Sequence, residues 1–252
     1  MGKNKIQRIR ELGFTFVYNA YSQLVVNKVF RKHVFPPLRA FSSFTLELDP
    51  NMILQKVIGK QVTSNIENEF KSLNEIILDR YKKVTLHYPY NFRVEHNTSF
   101  LIYSLIRLLK PNKVVETGVA NGHSTFFILN ALMKNGNGSL YSIDIRDDVG
   151  GLITEELKQY WNLYVLPRTN EKALNQYIEK IAPVDVFIHD SNHMYYWQML
   201  EYRSFLKNIS DSGFILSDDV DESYAFIDFC NENKLEPFFL CDTRKIFGLT
   251  KI

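Results

Sequence analysis

The sequence predicts an α/β domain in which a largely parallel β-sheet is covered by helices on both faces. From residue 101 onward, short β-rich runs alternate with helical patterns, as they do in proteins with a parallel sheet. The run from Val184 to His189 is almost wholly apolar until its end, as expected of a central strand buried on both faces. A chain of 252 residues is long enough to bury the core of such a domain.

Seven strands and five helices follow from the pattern of the predicted domain. The strands are expected at residues 113–117, 139–144, 162–166, 184–189, 213–217, 237–241 and 246–250. The helices between them are expected at residues 123–134, 154–160, 171–181, 195–207 and 223–233. Asn and Gly at 135–138 end the first helix because both tolerate positive φ, and Pro183 ends the third.

Residues 1–95 have a different pattern and are predicted to form a helical extension ahead of the domain at 96–252. Residues 8–34 alternate basic with aromatic or aliphatic side chains, and residues 64–83 are predicted to form a second helix. The extension is compatible with helices packed on the domain with a solvated basic face, a cap over the active site, a homo-oligomer contact, or contact with an anionic membrane surface. The first of these is the simplest interpretation.

Composition excludes several classes of protein. The formal net charge of +2 gives no reason to expect a nucleic-acid partner. The two cysteines, Cys230 and Cys241, do not form a CxxC pair, which favours a reducing compartment and no structural zinc. The sequence shows no signal-peptide pattern and no apolar stretch of membrane-spanning length, so we expect a cytoplasmic protein, with peripheral membrane contact as an open alternative.

A glycine-containing turn is predicted where the first strand meets its helix. Gly118 permits a tight turn and a close approach to a ligand, and Gly122 lets the helix begin against the strand. Asp144 ends the second strand, where a carboxylate can accept both ribose hydroxyls of an adenosine. Glu116 would face a pyrophosphate unfavourably but would suit a sulfonium with its ammonium group. Together these residues predict a site for a cationic, adenosine-containing cofactor.

Residues 114–125, Val-Val-Glu-Thr-Gly-Val-Ala-Asn-Gly-His-Ser-Thr, with Leu-Tyr-Ser-Ile-Asp at 140–144, resemble motif I and the acidic strand of class I S-adenosylmethionine-dependent methyltransferases. Within that superfamily the chain is similar to the group that includes macrocin-type metal-dependent sugar O-methyltransferases and cephalosporin-hydroxylase-like proteins. The resemblance covers residues 95–252 and implies a Rossmann-like sheet of seven strands, the last one antiparallel. It also implies that S-adenosylmethionine is bound by Glu116, Gly118, Ala120, Gly122, Ser124, Asp144 and Asp190.

The chain departs from this group after the third strand. Relatives often carry a Gly-Asp-Ser type segment that touches the adenine, whereas this chain has Pro-Arg-Thr-Asn at residues 167–170. Asn170 is therefore the candidate for an adenine contact.

Acidic residues follow two neighbouring strands of the predicted sheet, Asp190 after the fourth strand and Asp218 with Asp219 after the fifth. Three carboxylates crowded at one edge repel one another unless they share a cation, and their hard oxygens suit Mg²⁺, with Ca²⁺ or Mn²⁺ as alternatives. The resemblance implies the same three metal ligands, and its Asp-x-x-His spacing assigns the general base to His193. A metal would then lower the pKa of a substrate hydroxyl whose proton His193 accepts.

The sequence therefore predicts a metal-assisted O-methyltransferase that acts on a hydroxyl of a sugar, glycoconjugate or similar small polyol. Two other functions stay open at this point: a hydroxylase-like or other enzyme on the same scaffold, and a non-catalytic protein that binds S-adenosylmethionine. A nicotinamide-dependent dehydrogenase fits less well because of Glu116 and the missing third glycine. Asp218 and Asp219 are also compatible with a helix cap, and His193 with a structural role in the first turn of its helix.

Overall fold

One β-sheet organises the computed structural model of the protein, which describes residues 40–167 and 170–252. Its strands are β1 (Leu46–Glu47), β2 (Lys113–Thr117), β3 (Ser139–Asp144), β4 (Trp161–Val165), β5 (Val184–His189), β6 (Ile209–Ser217), β7 (Pro237–Cys241) and β8 (Ile246–Lys251). Their order across the sheet is β1-β7-β8-β6-β5-β2-β3-β4. Pairing is parallel except at β8, which runs antiparallel to both β6 and β7. The predicted α/β class and antiparallel last strand are confirmed, with one strand more than predicted.

Seven α-helices and two short 3₁₀ helices accompany the sheet in the described part of the chain. The α-helices are α1 (Pro50–Ile58), α2 (Ser64–Lys83), α3 (His96–Leu109), α4 (His123–Asn135), α5 (Glu171–Ile181), α6 (Tyr195–Leu206) and α7 (Ala225–Asn233). The 3₁₀ helices are Ala40–Ser43 and Glu155–Tyr160, and the second replaces the regular helix predicted there. None of the described helices combines the length and the hydropathy needed to cross a membrane.

Apolar side chains pack on both faces of the sheet because successive residues of a buried strand point in opposite directions. On β2, Val114 belongs to the core cluster beneath helices α1 to α4, and Val115 belongs to the cluster beneath α5 to α7. Phe70 of α2 lies in the first cluster, with its ring centroid 5.0 Å from that of Phe127 on α4. Part of the predicted extension therefore packs on the sheet, while the division of the chain at residue 95 stays a prediction.

Three sequence predictions concern the N-terminal segment: a basic helix, a membrane contact and a homo-oligomer contact. The basic helix predicted at residues 8–34, with its proposed membrane and homo-oligomer contacts, lies outside the described residues.

Candidate active site

The turn after β2 contacts both β3 and the residue that follows β5. Gly118 has a φ of 84° and donates its N–H to the carbonyl of Ile143 over 2.9 Å. A Cβ atom at this position would lie 1.8 Å from the carbonyl oxygen of Asp190. Only glycine combines this positive φ with such a close backbone approach, so the turn is held directly against the end of β5.

The same turn leads into α4 and is tied to the end of β3. Gly122 has a φ of 88° and is the N-cap residue of α4, and Ala120 also has a positive φ, of 47°. One carboxylate oxygen of Asp144 accepts the N–H of Val119 over 2.8 Å, and the other accepts the N–H of Arg146 over 3.1 Å. Asp144 is half-buried, so its carboxylate borders the turn while keeping access to solvent.

Glu116 lies beneath this turn and is 1% exposed. Its carboxylate accepts hydrogen bonds from the hydroxyl groups of Thr125 at 2.7 Å, Ser142 at 2.6 Å and Ser124 at 3.3 Å. Burial raises the pKa of Glu116 to about 7, against the lowering effect of these hydrogen bonds. Glu116 and Ser124 therefore support the turn from the core, and direct contact of either side chain with a cofactor stays a prediction.

Two asparagine side chains, those of Asn170 and Asn121, accept backbone N–H groups. Asn170 is exposed, and its side-chain oxygen accepts the N–H of Ala173 over 3.0 Å, which caps α5. Its role in adenine binding stays a prediction. Sequence reasoning missed Asn121, whose side chain accepts the N–H groups of His87 and Tyr88 at 3.2 Å each and so holds that segment beside the turn. No local pattern in the sequence indicates this contact.

The strand ends bring the predicted catalytic residues together. Asp190 donates its N–H to the carbonyl of Thr117 at the end of β2, and Asp218 donates its N–H to that of His189 at the end of β5, over 2.9 Å each. The Nε2 atom of His193 lies 3.5 Å from a carboxylate oxygen of Asp219 and 3.8 Å from one of Asp190. These side chains therefore lie together at one edge of the sheet, and their catalytic and metal-binding roles stay predictions.

Lys245, which sequence reasoning missed, neutralises two of these carboxylates. Its ammonium donates to Asp218 over 3.1 Å and to Asp219 over 2.8 Å. The lysine lies on one oxygen of each of two carboxylates that would bind the predicted metal, and the metal site itself stays a prediction. Across residues 40–167 and 170–252, no three His, Cys, Asp or Glu side chains have an arrangement that could hold a metal ion.

Burial shifts the pKa values of the side chains in this cluster. Burial and then the charge of Asp218 raise the pKa of Asp190, and burial and then the charge of Asp219 raise that of Asp218. Burial lowers the pKa of His193 to about 4, so its imidazole is neutral at pH 7. The Nδ1 atom of His193 is buried without a hydrogen-bond partner among the described residues.

A further buried carboxylate, that of Glu201 on α6, contacts residues around the site and was not predicted. It accepts hydrogen bonds from Thr117, His189 and Trp197 at 2.6 Å each and from Ser191 at 2.9 Å. These donors belong to β2, β5, the following loop and α6. Glu201 lies on the buried face of α6. An acidic residue among the apolar residues of this face is the sequence feature that could have indicated its role.

Comparison with known proteins agrees with this geometry. Residues 115–220 match a family model described as a methyltransferase domain. This range includes the glycine turn, Asp144 and the three aspartates. A search of curated proteins found no match.

Solved structures share the fold at low sequence identity. An O-methyltransferase from Bacillus cereus in complex with S-adenosylhomocysteine has a TM-score of 0.57 and 13% identity, with 80% of this chain and 96% of that chain covered. The O-methyltransferase TomG from Streptomyces achromogenes, in complex with S-adenosylmethionine, has a TM-score of 0.55, 13% identity and coverages of 80% and 95%. The methyltransferase MycE of the mycinamycin biosynthetic pathway, in complex with Mg, S-adenosylhomocysteine and mycinamycin VI, has a TM-score of 0.51, 12% identity and coverages of 71% and 54%.

The strand order, the glycine turn and the family match agree with one another. Residues 115–220 therefore match a methyltransferase domain, and the described part of the chain shares the fold of solved O-methyltransferases.

Proposed function

We propose that the protein transfers the methyl group of S-adenosylmethionine to a hydroxyl oxygen of a sugar, glycoconjugate or similar small polyol. The observation that carries this proposal is the contact between the glycine turn and the acidic cluster. The carbonyl of Asp190 lies against Gly118, and His193 lies within 4 Å of carboxylate oxygens of Asp190 and Asp219. A proton acceptor and two carboxylates therefore border the turn that would hold the cofactor.

The turn fits S-adenosylmethionine in its shape and its donor set. The positive φ of Gly118 and Gly122 lets the backbone turn tightly, and α4 begins at this point with unpaired backbone N–H groups that can face an anionic group. Asp144 keeps lone pairs for ribose hydroxyls beside its two backbone hydrogen bonds. When bound, the cofactor supplies an electrophilic methyl group on a sulfonium.

His193 is the proposed general base. A hydroxyl attacks a methyl group slowly unless its proton is removed as the new bond forms, and a positioned base typically contributes about 10²- to 10⁴-fold. The imidazole of His193 is neutral at pH 7 and can therefore accept that proton. Asp190 and Asp219 lie on its Nε2 side and would stabilise the imidazolium that forms.

The aspartates would also orient the acceptor. Carboxylate oxygens accept hydrogen bonds from hydroxyls, and a polyol offers neighbouring hydroxyls at the spacing of such a pair. A polyol therefore suits this edge of the sheet better than an acceptor with a single hydroxyl. The predicted divalent metal does not fit the arrangement with Lys245 in place, so no step here depends on it.

The test measures S-adenosylhomocysteine formed from S-adenosylmethionine with a panel of monosaccharides and methyl glycosides. We expect His193→Gln to lower turnover by about 100-fold or more, since it removes the base. Its affinity for S-adenosylmethionine, measured by calorimetry, should equal that of the wild type. Asp211→Asn changes an exposed carboxylate on β6 outside the cluster and serves as the control that retains turnover.

Two results would contradict the proposal. Failure of the wild type to bind S-adenosylmethionine would remove its basis. Methylation of amines or thiols with no reaction at any hydroxylated acceptor would show a methyltransferase of another acceptor class.

A further inference from the structure

Lys245 lies where the sequence places a divalent metal ion. Its Nζ atom lies 3.1 Å from Asp218 Oδ2 and 2.8 Å from Asp219 Oδ2. The carboxylate side chains are only 2% and 9% exposed, and that of Lys245 is 22% exposed. Water screens an ion pair at this depth less than it screens a pair on the surface.

The backbone around Lys245 fixes this position. Ile246 donates its N–H to a carboxylate oxygen of Asp221 over 3.1 Å, and its carbonyl accepts the N–H of Val220 over 3.0 Å. Asp242 donates its N–H to the carbonyl of Lys245 over 3.0 Å. Ile246 is thus bonded to the segment that follows Asp219, and the carbonyl of Lys245 is bonded across the turn to Asp242.

The turn between β7 and β8 is also bonded to the start of α3. Arg244 donates its backbone N–H and its Nε–H to the carboxylate of Glu95, over 2.8 and 2.7 Å. Asp242 accepts the N–H of Thr98 over 2.8 Å and its hydroxyl over 3.2 Å. Glu95 and Asp242 are both buried, so the turn that carries Lys245 is anchored in the core.

We infer that Lys245 is the resident cation of this site and takes the place of a divalent metal ion, so that the methyl transfer needs no metal. Asp218 and Asp219 place their oxygens around a single cation, and a metal on those oxygens would be repelled by the ammonium. The ammonium keeps Asp219 in position beside His193. The statement about methyl transfer rests on the proposed function, whereas the occupancy of the site does not.

The test titrates MnCl₂ into metal-free protein and follows free Mn²⁺ by electron paramagnetic resonance. We expect no Mn²⁺ binding by the wild type at concentrations up to about 1 mM, the weak end of the range of protein sites for hard divalent cations. Lys245→Met keeps the length of the side chain without its charge and should create one Mn²⁺ site. Adding Asp219→Asn to that variant should abolish the site.

Controls separate charge from folding. Lys251→Met removes an exposed lysine from the end of β8, the strand that follows Lys245, and should leave the protein without a Mn²⁺ site. Lys245→Arg keeps a cation and should behave as the wild type does. Thermal unfolding of Lys245→Met, with and without Mn²⁺, shows whether the variant is folded and whether the metal restores stability lost with the ammonium.

Two outcomes overturn the inference: one Mn²⁺ site in the wild type that Asp218→Asn removes, or a folded Lys245→Met variant that binds no Mn²⁺. Both are independent of the proposed function, which fails instead if S-adenosylmethionine does not bind. Where methyl transfer is measured, a chelator should leave the rate of the wild type unchanged.

Discussion

Gly118 is the residue on which the geometry of the turn depends most directly. Gly118→Ala should lower the free energy of unfolding by about 3 kcal/mol or more, because its Cβ would meet the Asp190 carbonyl at 1.8 Å and the backbone is already strained for alanine. Gly136→Ala is the matched control. Its φ is 65° but nothing lies within 4 Å of the added Cβ, so it should cost only about 1 kcal/mol. Urea unfolding of both variants measures the difference, and equal losses would contradict the role of the contact.

Glu116 makes the stability of the protein depend on pH. Its pKa is about 7 in the folded protein against an ordinary value of 4.5, so the folded state holds more protons between these values. The free energy of unfolding contributed by Glu116 is therefore fully present below pH 4.5 and is lost as pH rises through 7. Glu116→Gln removes this dependence, and its stability relative to the wild type should rise by about 3 kcal/mol between pH 4.5 and 8.

The measurement for Glu116 is urea unfolding of both proteins across that pH range. Glu75→Gln changes an exposed carboxylate on α2 and should leave the pH dependence of the wild type unaltered. A constant difference between Glu116→Gln and the wild type would show that Glu116 titrates normally.

Individual site residues differ in how far the sequence could reveal them. Gly118, Asp190 and Asp219 follow predicted strands, and parallel strand ends meet at one edge of a sheet, so their proximity could be predicted. Lys245 could not, because its position depends on a hairpin that packs against residues more than twenty positions earlier. Glu201 likewise meets its partners only after α6 has folded over β5.

Among the elements, α2 tests whether the segment before residue 95 is part of the core. Phe70→Ala should lower the free energy of unfolding by about 3 to 5 kcal/mol, because the ring is 2% exposed and contacts Phe127 and Phe100 at centroid distances of 5.0 and 5.1 Å. Lys71→Ala, on the exposed side of the same helix, should change it by less than about 0.5 kcal/mol. Denaturant unfolding of both variants measures these free energies. A loss for Phe70→Ala as small as that for Lys71→Ala would mean that α2 is not integral to the domain.

Elements were predictable where a periodic pattern and its end signals coincided. The bounds of β2, β3, β5 and α5 agree with the predictions because Gly, Asn or Pro directly precedes or follows each of these elements. Strand β6 begins at Ile209 rather than Gly213, since its polar first half still pairs with β5 through a register shift between Val184 and Val186. Helix α1 was not predicted, although Pro50 and the Gly59 cap mark its ends.

For the whole molecule, the sequence predicted the fold class and the direction of the last strand but not the extent of the sheet. The strand that was not predicted, β1, has only two residues and pairs with β7 at the edge of the sheet. Two residues carry no detectable alternation, so only tertiary structure reveals such a strand. The metal prediction counted carboxylates without the lysine that the fold brings to two of them, and it stays a prediction.

The position of β8 also constrains the order in which the sheet can assemble during synthesis. Because β8 lies between β6 and β7, strands β1 and β7 have no place in the sheet until residues 246–251 have left the ribosome. A nascent chain would therefore expose the open edge of β6, and Lys245 would reach Asp218 and Asp219 only when that last hairpin closes. Asp218 and Asp219 would stay without their cation until this hairpin forms, so completion of the sheet and charge balance of the candidate active site become one event.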